Sequence, residues 1–148
     1  MIIQLLYTAL LLAISVLIHA SMLTWLFRQS MRWPALSEGG ALTTTWHMVV
    51  IAWWITLAHL VEILVWGFFY VSRGIFPDLA TAGYFSIVTY TTVGYGDFVP
   101  PEQWRLLAGV EALTGMLMGG WSAAFFFSIA NQWHSRAAEA EAARDAGA

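Results

Sequence analysis

Thr91-Thr92-Val93-Gly94-Tyr95-Gly96-Asp97 stands between two long apolar runs. Gly94 and Gly96 permit backbone angles that residues with a Cβ avoid. Alternating ordinary and permissive angles turn successive carbonyls toward one axis. Val93 and Tyr95 then point outward and wedge the ribbon against its surroundings. Non-helical backbone at membrane depth must be buried in protein or line a wet cavity. A ring of such carbonyls replaces the water shell of a dehydrated cation. A Gly-x-Gly alone is weak and is usually a turn. The plain alternative is therefore a glycine-rich re-entrant turn that holds no ion, and the flanks must decide.

Those flanks read as membrane helices. The chain has 148 residues, 59% hydrophobic and 10% charged, with a mean hydropathy of +0.68. A soluble domain carries about 25% charged residues, so the deficit indicates a membrane protein. There is no cysteine, which excludes disulfides and thiol chemistry and leaves the redox compartment unread. The net charge is −3 and all six basic residues are arginine, so no basic surface points to nucleic acid. The length leaves no room for a soluble domain beside the membrane part.

Just upstream of the motif, Asp78 follows Pro77 and suits a helix N-cap. Residues 78–91 then form a helix whose body, Leu79 to Thr91, is ~20 Å long. That is too short to span ~30 Å of hydrocarbon. It fits a re-entrant helix that dives halfway and hands over to residues 92–96. Downstream, Pro101 and Glu102 suit a first helical turn, and residues 103–133 form a spanning helix. Upstream, residues 45–71 form another span, interrupted only by Glu62; its Trp46, Trp53, Trp54 and Trp66 suit interfaces and lipid-facing surfaces. Residues 28–44, with Arg28, Arg32, Pro34, Gly39 and Gly40, read as a loop. Residues 1–27 carry no charge and are long enough to span. A signal peptide would need a positive start and a shorter apolar core, so a retained first helix is the reading. Residues 134–148, rich in Ala, Glu and Arg, read as a fraying helical tail.

The fold class is thus an all-α membrane protein with three transmembrane helices plus one re-entrant helix and loop. This topology puts residues 28–44 and the tail on one side, with Arg28, Arg32, Arg136 and Arg144. The other side holds Arg73 and Arg105. Arginine excess marks the cytoplasm. The N-terminus and the mouth of the re-entrant loop then face outside a cell membrane crossed several times, and the loop 28–44 and the C-terminus are cytoplasmic.

Thr92 to Gly96, followed by Asp97, is the signature string of potassium-channel filters, and the chain resembles that family over about residues 45–133. It looks like the two-helix pore module of bacterial potassium channels: outer helix 45–71, pore helix 78–91, filter 92–96, inner helix 103–133. Tyr84-Phe85-Ser86-Ile87-Val88-Thr89-Tyr90 is similar to pore helices of the family. The first helix is a departure from the module. No span carries arginine at every third position, so no voltage-sensor pattern is present, and no soluble sensor is read after the inner helix.

The resemblance implies a homotetramer, since one loop cannot encircle an ion, with membrane lipids around it. It implies K+ held by the backbone carbonyls of Thr92, Val93, Gly94 and Tyr95, with the Thr92 hydroxyl innermost and Gly96 supporting the last turn. Asp97 then concentrates cations at the outer mouth. Four pore-helix C-termini, each with about half a negative charge, face a central cavity. Flow is passive, and no cofactor is expected apart from K+ as the permeant ion. Met116, Gly119, Ala123 and Phe127 recur at helical spacing and form a candidate cavity lining. Phe127 is a candidate constriction, with lipid packing of Phe125 to Phe127 as the alternative. Gly115 is a candidate hinge or, with Gly119, a close helix contact.

Carboxylates within a membrane are costly and call for partners. Glu62 and Glu111 lie at matching depths, roughly 12–13 Å inside their spans. Glu111 is about 140° from Met116 around the helix and should face away from the ion path. Both are expected behind the filter, bonded to pore-helix groups such as Tyr90 or Thr89, with at least one protonated. The roles open are a structural clamp or a proton sensor. His59 and Glu62 share a helix face and His19 is at mid-depth in the first helix, whereas His47 and His134 lie near interfaces. No two histidines share a ligand-pair spacing. The other classes considered are a haem- or metal-binding membrane protein using His19 and His59, and a regulatory pore-loop subunit. No nucleophile–base spacing, metal motif or phosphate loop suggests an enzyme.

Overall fold

The computed structural model describes residues 2–33 and 36–146, with side chains throughout except at 36–41, 137, 140, 141 and 144. Its elements are α1 (Ile2–Ser30), α2 (Leu36–Ser72), α3 (Leu79–Tyr90), a short 3₁₀ turn (Glu102–Trp104) and α4 (Arg105–Ala146). No strand occurs among the described residues. Three stretches are long and apolar enough to cross a membrane: Ile2–Ser30, Leu42–Ser72 and Glu102–Arg136. The chain is an all-helical, multi-pass membrane protein.

Two boundaries differ from the sequence reading. The loop assigned to residues 28–44 is mostly helix: α1 continues to Ser30 and α2 begins at Leu36. The amide of Met31 still bonds the Phe27 carbonyl at 3.2 Å. Pro34 and Ala35 lie outside the described residues. Gly39 and Gly40 do not break α2, because a helix-interior glycine costs only about 1 kcal/mol relative to alanine. The long apolar helix that follows carries that cost. The tail, read as fraying, is continuous with α4 to Ala146, as expected of alanine, glutamate and arginine, which rank among the better helix formers.

α3 is defined by its ends. Asp78 is extended, and its carboxylate accepts the Thr81 amide at 2.8 Å. This bond holds the Asp78 carboxyl below its ordinary range. At the other end Thr91 caps the helix, its hydroxyl donating to the Ile87 carbonyl at 2.6 Å. α3 lies against α2 because both are smooth at the crossing. A Cβ built on Gly67 would stand 3.3 Å from Gly83 Cα.

The packing has three apolar centres. Trp66 and Tyr70 of α2 meet Phe85 of α3, Leu107 of α4 and Leu11 of α1 near one end. Leu23, Leu26, Ile51, Ile129 and Trp133 meet near the other. Between them Ile63, Tyr90 and Met118 join α2, α3 and α4, with Val16 of α1 alongside. α1 therefore contributes to the packing along its length. Lipid is as apolar as leucine, so close packing and polar bonds carry the association.

Candidate functional site: the pore loop and its buried carboxylates

The ribbon after α3 alternates in hand. Thr92, Gly94 and Gly96 have φ of 62°, 54° and 77°, and no other non-glycine among the described residues has positive φ. Val93 and Tyr95 therefore take ordinary angles between them. A Cβ added at Gly94 or Gly96 would meet nothing within 4 Å, so the backbone angle and not space demands glycine there. Thr92 is different. A β-branched residue in the left-handed region is an outlier that persists only where its surroundings impose it, commonly at functional sites. Backbone bonds fix it: the Thr92 amide donates to the Thr89 carbonyl and the Gly94 amide to the Val88 carbonyl, both at 2.9 Å. The sequence reading gave the special angles to the glycines alone and missed Thr92. The every-second-residue alternation was the signal that extended to it.

Val93 and Tyr95 are 51% and 72% exposed on the single chain. Asp97 is tied back to α3, its Oδ2 accepting the Tyr84 hydroxyl at 2.7 Å. That bond pushes the Tyr84 phenol above its ordinary range.

Behind the ribbon, Glu62 and Glu111 are fully buried. Each meets a different residue of α3. Glu62 Oε2 accepts from the Tyr90 hydroxyl, and Glu111 Oε1 is hydrogen-bonded to the Ser86 hydroxyl oxygen. Thr89 instead gives its backbone carbonyl to Thr92. Tyr70 donates to Glu111 Oε2 at 2.7 Å, and Ser86 Oγ lies 3.0 Å from the Ile63 carbonyl. These three contacts of the Glu111 cluster need three protons. The two hydroxyls supply two, so all are satisfied only when Glu111 carries the third. Ser86 and Tyr70 were not singled out in the sequence, because a lone hydroxyl on an apolar helix carries no signal of its partner.

Around Glu62 the helices close a ring. His19 Nδ1 lies 2.9 Å from Glu62 Oε1 and His59 Nδ1 lies 3.0 Å from the Tyr90 hydroxyl oxygen. Ser122 Oγ joins the two imidazoles, 3.1 Å from His59 Nε2 and 3.0 Å from His19 Nε2. The metal-capable atoms of His19, His59 and Glu62 lie within 4.8 Å of one another. Sequence spacing did not reveal this grouping, because its members come from different helices. His47 stacks on Trp33, with ring centroids 4.2 Å apart, and His134 is exposed.

On α4, Gly115 lies against the end of α3. A Cβ there would stand 1.8 Å from the Tyr90 carbonyl oxygen. This contact accounts for the glycine without a hinge. Met116 and Phe127 are 60% and 67% exposed, on the same open stripe as Gly119 and Ala123, while Glu111 faces inward. Phe125 and Phe126 pack partly against the cluster around Leu23. A cavity of about 360 Å³ lies where α2, the end of α3 and α4 meet, lined by His59, Tyr90, Thr92, Gly115, Met116 and Gly119.

No curated protein and no solved structure matches the chain. A family model described as "Ion channel" matches residues 58–132, half of the chain, running from α2 through α3 and the ribbon into α4. α1 lies outside the matched residues. The match covers the elements that frame the ribbon, and the chain belongs to this ion-channel family, that of the two-helix potassium-channel pore.

Proposed function

We propose that the protein is a potassium-selective channel formed by four copies of this chain. The observation that carries the reading is the alternation of φ over Thr92, Gly94 and Gly96, in the string that follows the C-terminus of a re-entrant helix. In a fourfold assembly the carbonyls of Thr92, Val93, Gly94 and Tyr95 replace the water around K+, and the Thr92 hydroxyl adds a ligand at the inner end. Gly96 closes the last turn. Asp97, anchored by Tyr84, draws cations to the outer mouth. The bareness of Val93 and Tyr95 on one chain supports the tetramer, since a ribbon that leans on so little of its own chain needs neighbours. The open stripe Met116, Gly119, Ala123 and Phe127 faces the ion path below the filter, with Phe127 as its constriction. The arginine distribution supports an orientation with the filter mouth and N-terminus outside and the C-terminus in the cytoplasm.

The test is ion flux in vesicles reconstituted with purified protein. Reversal potentials should follow the K+ gradient and ignore Na+. Gly94→Ala, which forces a Cβ into φ +54°, should lose the preference. Potentials that ignore the K+ gradient in the wild type sink the reading.

A further inference from the structure

The ring around Glu62 is built from all four helices: His19 of α1, His59 and Glu62 of α2, Tyr90 of α3 and Ser122 of α4. It contains five contacts: His19–Glu62, Glu62–Tyr90, Tyr90–His59, His59–Ser122 and Ser122–His19. Each contact needs one proton between its two heavy atoms. Tyr90, Ser122 and each neutral imidazole supply one apiece, which makes four. The fifth must sit on the Glu62–His19 pair, as a carboxylic acid facing a neutral imidazole or as a carboxylate facing an imidazolium. With that proton, every contact has a donor and an acceptor and the cluster is neutral. Without it, the cluster carries one negative charge in a dry site, which is costly, and one contact sets acceptor against acceptor.

We infer that this ring is a binding site for a single proton, and that its loss opens the ring at one of the contacts by which His59 and Ser122 link α4 to the other helices. The unpaired contact can be narrowed by elimination. An ionised Glu62 keeps its two charge-assisted bonds, from His19 and Tyr90, since these are the strongest available. The missing proton then falls on one of the three contacts made by His59 and Ser122. Two of those three hold Ser122, the ring's only member on α4. The groups facing the Glu62–His19 pair are those already named. Tyr90 on α3 and His59 on α2 are the remaining titratable members. Trp121 of α4 lies over His19, with ring centroids 5.7 Å apart, and adds no charge. Glu111 is engaged separately with Ser86 and Tyr70. The proton's way out is His59, which is half-buried and lines the cavity beside Thr92 and Met116. A transition metal is the competing occupant. It is disfavoured because every imidazole nitrogen already has a hydrogen-bonding partner, so binding would require breaking the ring.

The effect on conduction rests on the channel reading, whereas the proton count does not, so two readouts are needed. The first is ¹⁵N NMR of the imidazoles in the full-length reconstituted protein as pH is varied. His19 and His59 should shift together, with one midpoint and one proton. In Glu62→Gln the amide supplies the fifth proton permanently. It donates to His19 and accepts from Tyr90, so the shared transition should vanish while the protein stays assembled. In His19→Phe the ring is cut, and His59 should titrate alone. The second readout is K+ flux, which in the wild type should change in one step at the NMR midpoint and in Glu62→Gln should show no step. Independent titration of the two histidines in the wild type overturns the proposal, as does a stoichiometric transition metal in the purified protein. Selective flux without a shared titration removes the ring and leaves the channel. A shared titration without selective flux does the reverse.

Discussion

Replacing Gly115 by alanine is the sharpest test of how α4 meets the pore helix. The added Cβ would stand 1.8 Å from the Tyr90 carbonyl oxygen and 2.8 Å from its carbon, whereas ordinary contact begins at 3.4 Å. α4 or the end of α3 must therefore retreat by roughly 1.6 Å, and neither obstructing atom belongs to a side chain that can swing away. Overpacking of this kind costs about 1–3 kcal/mol, and a backbone obstruction puts this site at the upper end. Three kcal/mol is on the order of a 100-fold loss in the population of the native arrangement. The displaced residue is two positions before Thr92, so the loss should reach the ribbon at 92–96 as well as the fold. Gly109→Ala is the control on the same helix. Its Cβ meets nothing within 4 Å, and alanine should gain up to about 1 kcal/mol of helix propensity. Thermal unfolding in lipid nanodiscs and K+ flux read both variants. Gly109→Ala should be as stable as the wild type or more so, and Gly115→Ala should lose stability and flux together. If the two behave alike, the packing described between α3 and α4 is wrong.

Tyr70→Phe should destabilise by about 1–3 kcal/mol, because it strips a buried carboxyl of one of its donors; Ser86→Ala should cost more, since Glu111 and the Ile63 carbonyl both lose a partner. Thermal unfolding of the two variants side by side checks the order. Tyr84→Phe removes the bond that anchors Asp97 and should leave assembly intact while K+ over Na+ preference falls, read from reversal potentials. For Asp78 the sign follows from a folded-state carboxyl held below its unfolded range: its contribution is present above about pH 4 and is lost as pH falls through the folded value. Amide-exchange protection over residues 79–82, taken relative to the intrinsic rate at each pH, should fall in acid, and Asp78→Asn, an equally good N-cap, should abolish that fall. Unchanged acid dependence in Asp78→Asn would assign it to another group.

The legible parts of the chain were those written in local pattern. Apolar length gave three spans, and the Asp78 cap with a run too short to cross gave α3 to within a residue at either end. The loop at 28–44 was misread because Gly39 and Gly40 were weighed as breakers, when a long apolar helix tolerates them. Position along a helix is also local, so two carboxylates deep within apolar spans could be read as needing partners, and both are buried against α3. Partners are not local. Ser122 lies 103 positions from His19 and 63 from His59, and nothing in its own neighbourhood distinguishes a ring member from a serine facing lipid. Thr92 was hidden for a different reason: propensity assigns positive φ to glycine, and only neighbouring bonds force it on threonine.

The first helix is where these threads meet. An extra span could circle the pore at a distance, touching only lipid-facing leucines, and the channel would then not need it. Its polar residues argue otherwise. Ser15 and His19 are both fully buried, four residues apart on one face, which a lipid-facing helix has no reason to maintain. Ser15 accepts the Trp66 indole at 3.1 Å, and His19 holds Glu62, which in turn holds Tyr90 at the end of α3. Removing α1 would leave Glu62 without its imidazole and Trp66 without its acceptor, a penalty of about 1–3 kcal/mol for each buried polar group left unpaired. A chain beginning near residue 36 should therefore fail to assemble a selective pore, although it retains every residue that matches the family. Restoring residues 2–33 as a separate peptide should rescue it. A His19→Leu version of that peptide should not. A truncated chain that conducts K+ selectively on its own would show that α1 is an accessory after all.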